Sequence, residues 1–248
     1  MTDGILKEKI YEMDSAIPEE RILRTTIGDF PLDECRLAFS GREWTILHIG
    51  AVFSHAEESR YLREQKERLP YGVTLWAAAV ALAHDIAARA ASFRECRVLE
   101  LGAGTGLPGI VAAAHGARVL QTDRHQAVIA LCRRNVSLNS AGKVKQVLLD
   151  WTDWSEVGQY QWIIGSDILY ADEMHPHLRN IFETNLAPGG RVLLSDPFRE
   201  TGYKMLEALE SDGWTISMSK WSIGEGSERR PIGVFELAPP TRQRAGAR

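Results

Sequence analysis

The closely spaced glycines of Gly102-Ala103-Gly104-Thr105-Gly106 form the segment best suited to holding a ligand. The segment follows the apolar run Arg97–Leu101, so it stands where a strand would turn into a helix. Glycines in such a turn let a ligand approach bare backbone, which a side chain would block. Glu100 precedes the glycines, and Asp123 ends the next strand-like run, where a carboxylate can accept hydrogen bonds from a ribose diol. These residue types predict a site for a nucleoside-containing cofactor.

Two kinds of cofactor fit this loop. Read from Gly104, the sequence matches the dinucleotide pattern G-x-G-x-x-G, which favours a nicotinamide. Counted from the strand, however, Gly102 is the first turn glycine, and Leu107 falls where the third dinucleotide glycine would be. The carboxylate of Glu100 is unfavourable beside a pyrophosphate but suits the cationic amino-acid end of S-adenosylmethionine. The loop therefore favours S-adenosylmethionine, while a tight turn that binds nothing would leave the two nearby carboxylates unexplained.

Strand-like and helix-like segments alternate from residue 97 onward. Strands are predicted at 97–101, 118–122, 144–149, 162–166, 191–195, 215–218 and 234–237, and helices at 107–114, 126–139, 174–186 and 201–211. Before them, the sequence predicts a hairpin at 35–49, a solvated helical face in the charged run 57–68, and a buried helix at 74–91. The alternation predicts an α/β fold with a mostly parallel sheet, in which ligands bind at the carboxyl ends of the strands.

Length, composition and charge narrow the class of protein. The chain has 248 residues, of which 44% are apolar and 25% charged, enough for one large α/β domain with an N-terminal extension. A net charge of −4 gives no positive field to hold a phosphate backbone, so no nucleic-acid partner is expected. No segment is typical of a membrane span or a secretory signal. The three well-separated cysteines favour a cytoplasmic location and indicate no metal site.

Several short segments are shared with a known family of enzymes. They are Leu75-Trp76, Glu100 to Leu107 with Gly109-Ile110-Val111, Thr122-Asp123, Leu149-Asp150-Trp151 and Ser166-Asp167-Ile168-Leu169-Tyr170. Through them the sequence, from about residue 69 to 237, resembles the seven-β-strand, Rossmann-like methyltransferases, and among these methyltransferase family 16. The resemblance implies a seven-stranded, mostly parallel sheet in the order 3-2-1-4-5-7-6, flanked by helices. Residues 1–69 would be an N-terminal extension over the acceptor site, 70–240 the cofactor-binding domain and 241–248 a flexible tail.

The resemblance also implies which residues bind S-adenosylmethionine. The expected contacts are Trp76, Glu100, Gly102, Ala103, Gly104, Asp123, Asp150, Trp151 and Ser166. The glycine loop would lie against the methionine part, Asp123 would hold the ribose, and Trp151 would lie along the adenine. Trp76 would close over the cofactor, although a core position suits it equally well. Asp150 could equally be the cap of a helix or turn.

Asp167 and Tyr170 are the expected catalytic residues, because the family's D-x-x-Y/F motif lies beside the accepting nitrogen in relatives, frequently that of a protein lysine. Methyl transfer to an amine requires mainly alignment and the loss of a proton from the amine. Asp167 would orient the amine and relay its proton, and Tyr170 would hold it by its hydroxyl and ring face. The alternatives are a helix N-cap for Asp167 and a packed rim aromatic for Tyr170. Asp196 and Arg199 would frame the acceptor's entrance or form a salt-bridged loop.

Three functions follow from these residues. The leading one is methylation of a protein lysine side chain, with S-adenosylhomocysteine as the second product. An enzyme that methylates a nitrogen or oxygen of a small molecule is the second, and a non-catalytic S-adenosylmethionine-binding module is the third. The expected partner is therefore a protein substrate or a small-molecule acceptor. Methylation of a nucleobase amino group is disfavoured, because the segment 166–170 lacks the Asn/Asp-Pro-Pro-aromatic run of those enzymes.

Overall fold

The computed structural model describes residues 7–8, 19–26, 28–64, 70–224, 226 and 229–240, so the predicted tail lies outside the described residues. The helices are α1 (His55–Glu64), α2 (Ala77–Ala88), α3 (Leu107–Ala114), α4 (Gln126–Leu138), α5 (His175–Asn185) and α6 (Glu200–Ser211). The strands are β1 (Lys7–Glu8), β2 (Ile22–Thr25), β3 (Gly28–Pro31), β4 (Asp33–Phe39), β5 (Arg42–His48), β6 (Gly50–Val52), β7 (Thr74–Trp76), β8 (Arg97–Leu101), β9 (Arg118–Asp123), β10 (Lys143–Leu148), β11 (Tyr160–Ser166), β12 (Leu186–Asp196), β13 (Thr215–Ile223) and β14 (Arg230–Ala238). Each strand and helix predicted from residue 97 onward is present, although the last strands are longer than expected.

The central sheet has seven strands in the order β10-β9-β8-β11-β12-β14-β13. Numbered along the chain within the sheet, this is 3-2-1-4-5-7-6, which confirms the predicted order. Strand β8 pairs in parallel with both β9 and β11, and β14 runs antiparallel to both of its neighbours. The strand order reverses at β8 and β11. The carboxyl ends of these two strands therefore form the crevice in which an open α/β sheet binds its ligand.

Both faces of the sheet are buried by helices. Val98 and Ile164 belong to the apolar cluster that contains α2 and α3, whereas their chain neighbours Leu99 and Ile163 belong to the cluster that contains α5 and α6. Neighbouring residues fall in opposite clusters because side chains alternate between the two faces of a strand. The result is the three-layer arrangement that parallel sheets require. No helix in the described part of the chain is long and apolar enough to cross a membrane.

The apolar segment 74–91 is not one helix as predicted. Its first residues, Thr74–Trp76, form β7, which pairs in parallel with β6, and α2 starts only at Ala77. The β-branched Thr74 favours an extended conformation, and its hydroxyl donates a hydrogen bond to the Tyr61 hydroxyl at 2.8 Å. This short strand carries Trp76 to the carboxyl end of the central sheet instead of burying it in a helix.

The hairpin predicted before the central sheet is present. Strands β4 and β5 pair antiparallel, and the turn residues Ser40 and Gly41 have φ values of 54° and 71°. Two adjacent residues with positive φ are typical of the tight turn that matches the twist of a hairpin. One face of the hairpin, including Trp44 and Ile46, is buried in the same apolar cluster as α2 and α3. The hairpin is therefore part of the hydrophobic core.

Two asparagines, Asn135 of α4 and Asn139 at the C-cap of that helix, fasten this hairpin to the rest of the molecule. The Asn135 amide donates to the carbonyls of Leu47 (3.0 Å) and Thr105 (2.8 Å), and its oxygen accepts from the Leu47 N–H at 2.8 Å. Asn139 binds the N–H and C=O of Thr45 in the same way, at 3.0 and 2.7 Å. Because Thr105 belongs to the glycine loop, the buried Asn135 joins the hairpin, α4 and that loop.

Replacing Asn135 with alanine should lower the free energy of unfolding by about 2 to 4 kcal/mol, because buried backbone groups of Leu47 and Thr105 would lose their partner. Urea denaturation measures this change. The control is Asn180→Ala, on the exposed face of α5, which we expect to change stability by about 0.5 kcal/mol or less. Equal stability of the two variants would contradict the role given to Asn135.

Candidate active site

A cleft of about 1240 Å³ opens at the carboxyl ends of β8, β9 and β11. It is larger than most small-molecule pockets and has room for a nucleoside cofactor and part of a second molecule. Most of the residues predicted for the site line this cleft: Trp76, Gly102, Ala103, Gly104, Asp123, Asp150, Trp151, Ser166, Asp167 and Tyr170. The exception is Glu100. The fold thus brings side chains from five separate segments of the sequence to one crevice.

The glycine loop has a conformation that other residues would strain. Gly102 and Gly104 have φ values of 58° and 56°, in the left-handed region that favours glycine. A Cβ on Gly102 would lie 3.0 Å from Cγ2 of Ile168 and 3.2 Å from Cζ2 of Trp151. Glycine at this position therefore lets the side chains of Ile168 and Trp151 pack directly against the backbone of the loop.

The carboxylate of Glu100 lies beneath the loop and not in the cleft. Glu100 is 1% exposed, and its oxygens accept hydrogen bonds from the Gly109 N–H at 3.1 Å and the Gln121 amide at 2.8 Å. The Gln121 amide also donates to the carbonyl of Gly106 at 3.0 Å. Glu100 therefore does not line the cleft, in contrast to its predicted contact with the cationic end of the cofactor. Glu100 shares its strand face with Val98, so its side chain is directed toward α3 and away from the ligand.

Asp123 stands at the end of β9 with its carboxylate at the cleft. One oxygen accepts from the His125 N–H at 3.0 Å, and the other accepts a long bond from the Gly104 N–H at 3.4 Å. Burial raises the pKa of Asp123 above its usual value, and the two backbone bonds oppose that rise. A carboxylate has about four acceptor sites, so Asp123 keeps the capacity to accept from two ribose hydroxyls.

Asp150 is the N-cap of a short 3-10 helix, Trp151–Asp153. A capping role was one of the two interpretations predicted for this residue. Its carboxylate accepts from the N–H and the hydroxyl of Thr152 at 2.9 and 2.8 Å, and the backbone bond is the main cause of a lowered Asp150 pKa. The cap fixes the turn that carries the Trp151 ring to its position beside Gly102. Asp150 thus contributes to the cleft wall and positions its neighbour.

Three further aromatic side chains, Tyr71, Trp76 and Tyr170, line the cleft. The Trp76 indole N–H donates to the carbonyl of Tyr71 at 3.0 Å, and the Trp76 ring packs edge-on against Tyr61, with 5.4 Å between ring centroids. Tyr71 is 52% exposed and Tyr170 is 49% exposed. The exposed rings leave apolar surface at the mouth of the cleft, where it can contact an incoming molecule. Trp76 is neither a fully buried core residue nor a free surface ring.

Asp167 follows β11 in a left-handed conformation, with a φ of 57°. Its N–H donates to the carbonyl of Ser195 at 2.8 Å, which joins this turn to the end of β12. The next helical turn begins only at Asp172 with Ala171 as its N-cap, so Asp167 does not cap a helix. Its carboxylate is instead ion-paired with the guanidinium of Arg199.

Arg199 connects several carboxylates at this end of the cleft. Its guanidinium pairs with Asp167 and, at 2.9 Å, with Glu58 of α1, and its backbone N–H donates to Asp196 at 2.6 Å. Arg230, which is almost fully buried, pairs with the second oxygen of Glu58 at 2.6 Å. Asp196 and Arg199 therefore form the salt-bridged loop that was one of their predicted interpretations. Glu58 was missed within a charged run interpreted as solvated, because its partner lies 141 positions away.

The N-terminal region supplies further residues that the sequence did not single out. Arg24, Thr25 and Thr26 line the cleft at the end of β2. Strand β2 pairs with β3, and the guanidinium of Arg134 in α4 donates to the carbonyl of Ile22 at 2.7 Å. This region thus reaches the cleft from outside the central sheet. No pattern in residues 19–31 distinguishes them from an ordinary polar hairpin.

The sequence of this chain is similar to those of known methyltransferases. The sequence model of the lysine methyltransferase family matches residues 56–209. Protein N-lysine methyltransferase METTL21A of Xenopus tropicalis is 33% identical over 165 residues, which cover 64% of this chain and 77% of that protein. The METTL21A of Danio rerio is 38% identical over 151 residues, covering 58% and 68%. EEF1A lysine methyltransferase 3 of Mus musculus is 32% identical over 136 residues, covering 53% and 58%.

Solved structures show the same fold. The precorrin-6y C5,15-methyltransferase of Geobacter metallireducens superposes with a TM-score of 0.53 at 15% identity, over 63% of this chain and 88% of that one. The glycopeptide N-methyltransferase MtfA gives a TM-score of 0.53 at 16% identity, over 66% and 97%. At such identities the likeness extends to the Rossmann-like architecture alone. The residues matched by the family model, 56–209, leave out the N-terminal hairpins.

Asp123→Ala should weaken the binding of S-adenosylmethionine by about 1 to 3 kcal/mol, because hydrogen bonds from the ribose to a charged acceptor would be lost. Isothermal titration calorimetry measures the affinity directly. Asp153→Ala removes a carboxylate of equal charge from an exposed position on the adjacent turn and should leave the affinity unchanged. An unchanged affinity in Asp123→Ala would exclude Asp123 from the ribose contact.

The stability of the protein should depend on pH through Glu100. Burial raises its pKa to about 7, so its contribution to stability is complete below its unfolded pKa and is lost as the pH rises through 7. Between pH 5 and 8, the free energy of unfolding of the wild type should fall by about 1 to 3 kcal/mol relative to that of Glu100→Gln, whose side chain does not titrate. Urea denaturation across this range tests the sign. Parallel pH profiles of the two proteins would show that Glu100 does not titrate there.

Proposed function

Because this chain belongs to the lysine methyltransferase family, we propose that it methylates the side-chain amine of a lysine in a protein substrate. The chain is an S-adenosylmethionine-dependent methyltransferase. The observation that carries the proposal is that Asp167 and Tyr170 line the same cleft as the glycine loop. An acceptor that enters between them approaches the cofactor end of the same cleft.

The cofactor end fits S-adenosylmethionine. The bare backbone of Gly102 lines the cleft with the Trp151 ring packed beside it, and Asp123 keeps free acceptor capacity. We assign the methionine part to the glycine loop, the ribose to Asp123 and the adenine to Trp151. Trp76, Asp150 and Ser166 complete the walls. When bound, S-adenosylmethionine supplies a methyl group on a positively charged sulfur, which an uncharged amine accepts.

The acceptor end suits an amine on an alkyl chain. The Asp167 carboxylate would bind the ammonium group, orient its nitrogen toward the floor of the cleft, and pass the released proton to solvent. The half-exposed ring of Tyr170 would pack against the alkyl stem and keep water from it. Alignment is the main requirement of the reaction, so these two residues act chiefly by position.

A protein substrate is supported by the shape of the rim and by the names of the relatives. Tyr71, Tyr170 and Leu62 are each about half exposed around the mouth, which offers apolar surface to a polypeptide segment. The similar proteins named above are protein N-lysine methyltransferases and an EEF1A lysine methyltransferase. We also propose a cytoplasmic location, because no disulfide joins the three cysteines.

The experiment that tests the proposal is incubation of the purified protein with methyl-labelled S-adenosylmethionine and a lysate of cells that lack this protein. Label in a protein band, located by mass spectrometry on a lysine, is the expected result. Label confined to small molecules would replace the proposal with a small-molecule methyltransferase. Absence of label in both fractions, with cofactor binding measured in the same preparation, would contradict it as well.

Asp167→Asn should lower the rate of label transfer about 100-fold or more, because the uncharged amide cannot take the proton of the amine. The affinity for S-adenosylmethionine, measured by calorimetry, should stay nearly unchanged. Asp172→Asn is the matched control, since Asp172 is an exposed carboxylate that pairs with Lys204 on the surface. Full activity of Asp167→Asn would remove Asp167 from the mechanism.

A further inference from the structure

The guanidinium of Arg199 lies between two carboxylates at the acceptor end of the cleft. Its Nη1 is ion-paired with Asp167 and stands 3.7 Å from Oδ2 of Asp196. Its Nη2 is held by Glu58 at 2.9 Å and also donates to Oδ2 of Asp167 at 3.4 Å, and Arg230 holds Glu58 in turn at 2.6 Å. The guanidinium is therefore anchored by Glu58 through Nη2, while its Nη1 has two carboxylates within reach.

One of the two carboxylate oxygens of Asp196 is buried without a hydrogen bond from the described residues. Asp196 is 1% exposed, and its Oδ1 accepts from the Arg199 backbone N–H at 2.6 Å. Its Oδ2 accepts no hydrogen bond from any of the described residues. An unsatisfied buried oxygen is unfavourable, and a rotation that takes Nη1 from Asp167 to Oδ2 of Asp196 would replace one charge-assisted hydrogen bond with another. Asp196 thus offers the Arg199 guanidinium a second carboxylate partner.

Building on the proposed function, we infer that the acceptor enters as an alkylammonium cation that replaces Arg199 at Asp167, while Arg199 moves to Asp196. The cluster contains three carboxylates and two guanidinium groups, so it has one negative charge left for one cation. The carboxylates are those of Glu58, Asp167 and Asp196, and the guanidinium groups are those of Arg199 and Arg230. An ammonium group can compete with a guanidinium for Asp167, whereas a neutral hydroxyl cannot. The substrate class is therefore a cationic amine, such as the side chain of lysine.

The test uses n-butylammonium, which reproduces the end of a lysine side chain, and protein saturated with S-adenosylhomocysteine at pH 8. Burial raises the pKa of Asp196 to about 6, so its carboxylate is ionised at this pH. NMR titration gives the affinity for n-butylammonium. Arg199→Gln should bind it about 10-fold more tightly than the wild type, because Asp167 is released from a competitor that occupies it about nine-tenths of the time. Arg191→Gln, on a surface pair with Glu236 at 3.7 Å, should bind like the wild type.

Asp196→Asn provides a second measurement. When Arg199 is present, Asp196→Asn should weaken the binding of n-butylammonium several-fold, because the displaced guanidinium loses its second partner. In the Arg199→Gln background, the same substitution should weaken binding much less. Weaker binding by Arg199→Gln would overturn the inference and make Arg199 a residue that only fixes Asp167. Failure of Arg199→Gln to bind n-butylammonium would overturn it too, since release of Asp167 must expose a cation site.

These outcomes separate the inference from the proposed function. If lysate proteins are labelled on lysine but Arg199→Gln binds n-butylammonium more weakly, protein methylation stands and the exchange at Asp167 is wrong. If Arg199→Gln binds more tightly but no lysine of a lysate protein is labelled, the exchange stands and the acceptor is a different cationic amine.

Discussion

A carboxylate enclosed by protein shapes the cofactor loop of this enzyme. Glu100 is held by the Gly109 N–H and by Gln121, and Gln121 binds the Gly106 carbonyl as well. Through these bonds the end of the loop is tied to β9 and to the first turn of α3. A loop held in this way has little conformational entropy left to lose when a ligand arrives. The buried acid thus favours binding without touching the cofactor.

The two ends of the cleft differ in how they use charge. The cofactor end consists of glycine backbone, two indole rings and a carboxylate, Asp123, whose hydrogen bonds come from neighbouring N–H groups. At the acceptor end, Asp167 belongs to a connected set of ion pairs that extends through Arg199 to Glu58 of α1. One end is therefore suited to bind by shape and hydrogen bonds, and the other to recognise a positive charge.

Local patterns made most of the fold predictable, and long-range contacts made part of the site unpredictable. Each strand of the central sheet is a short apolar run with its own turn residues, and the sheet order follows from the family resemblance. The side of β8 to which Glu100 points depends on the packing of α3, so the sequence could indicate an acidic residue near the glycines but not its orientation. The strand at Thr74–Trp76 forms only because β6 pairs with it. Glu58 looked solvated because its partner Arg199 lies far along the chain.

The dependence of the N-terminal hairpin on α4 bears on how the chain folds during synthesis. Strands β4 and β5 are adjacent in sequence and can pair as soon as they are made, but the Asn135 side chain that binds Leu47 lies 88 positions later. At ordinary rates of translation, this interval lasts roughly 5 to 20 s. Helix α2, which belongs to the same apolar cluster as Trp44, is made within this interval, whereas the backbone groups of Leu47 still lack the Asn135 side chain. The hairpin of the nascent chain is therefore packed early, by α2, but is fastened to α4 only late in synthesis.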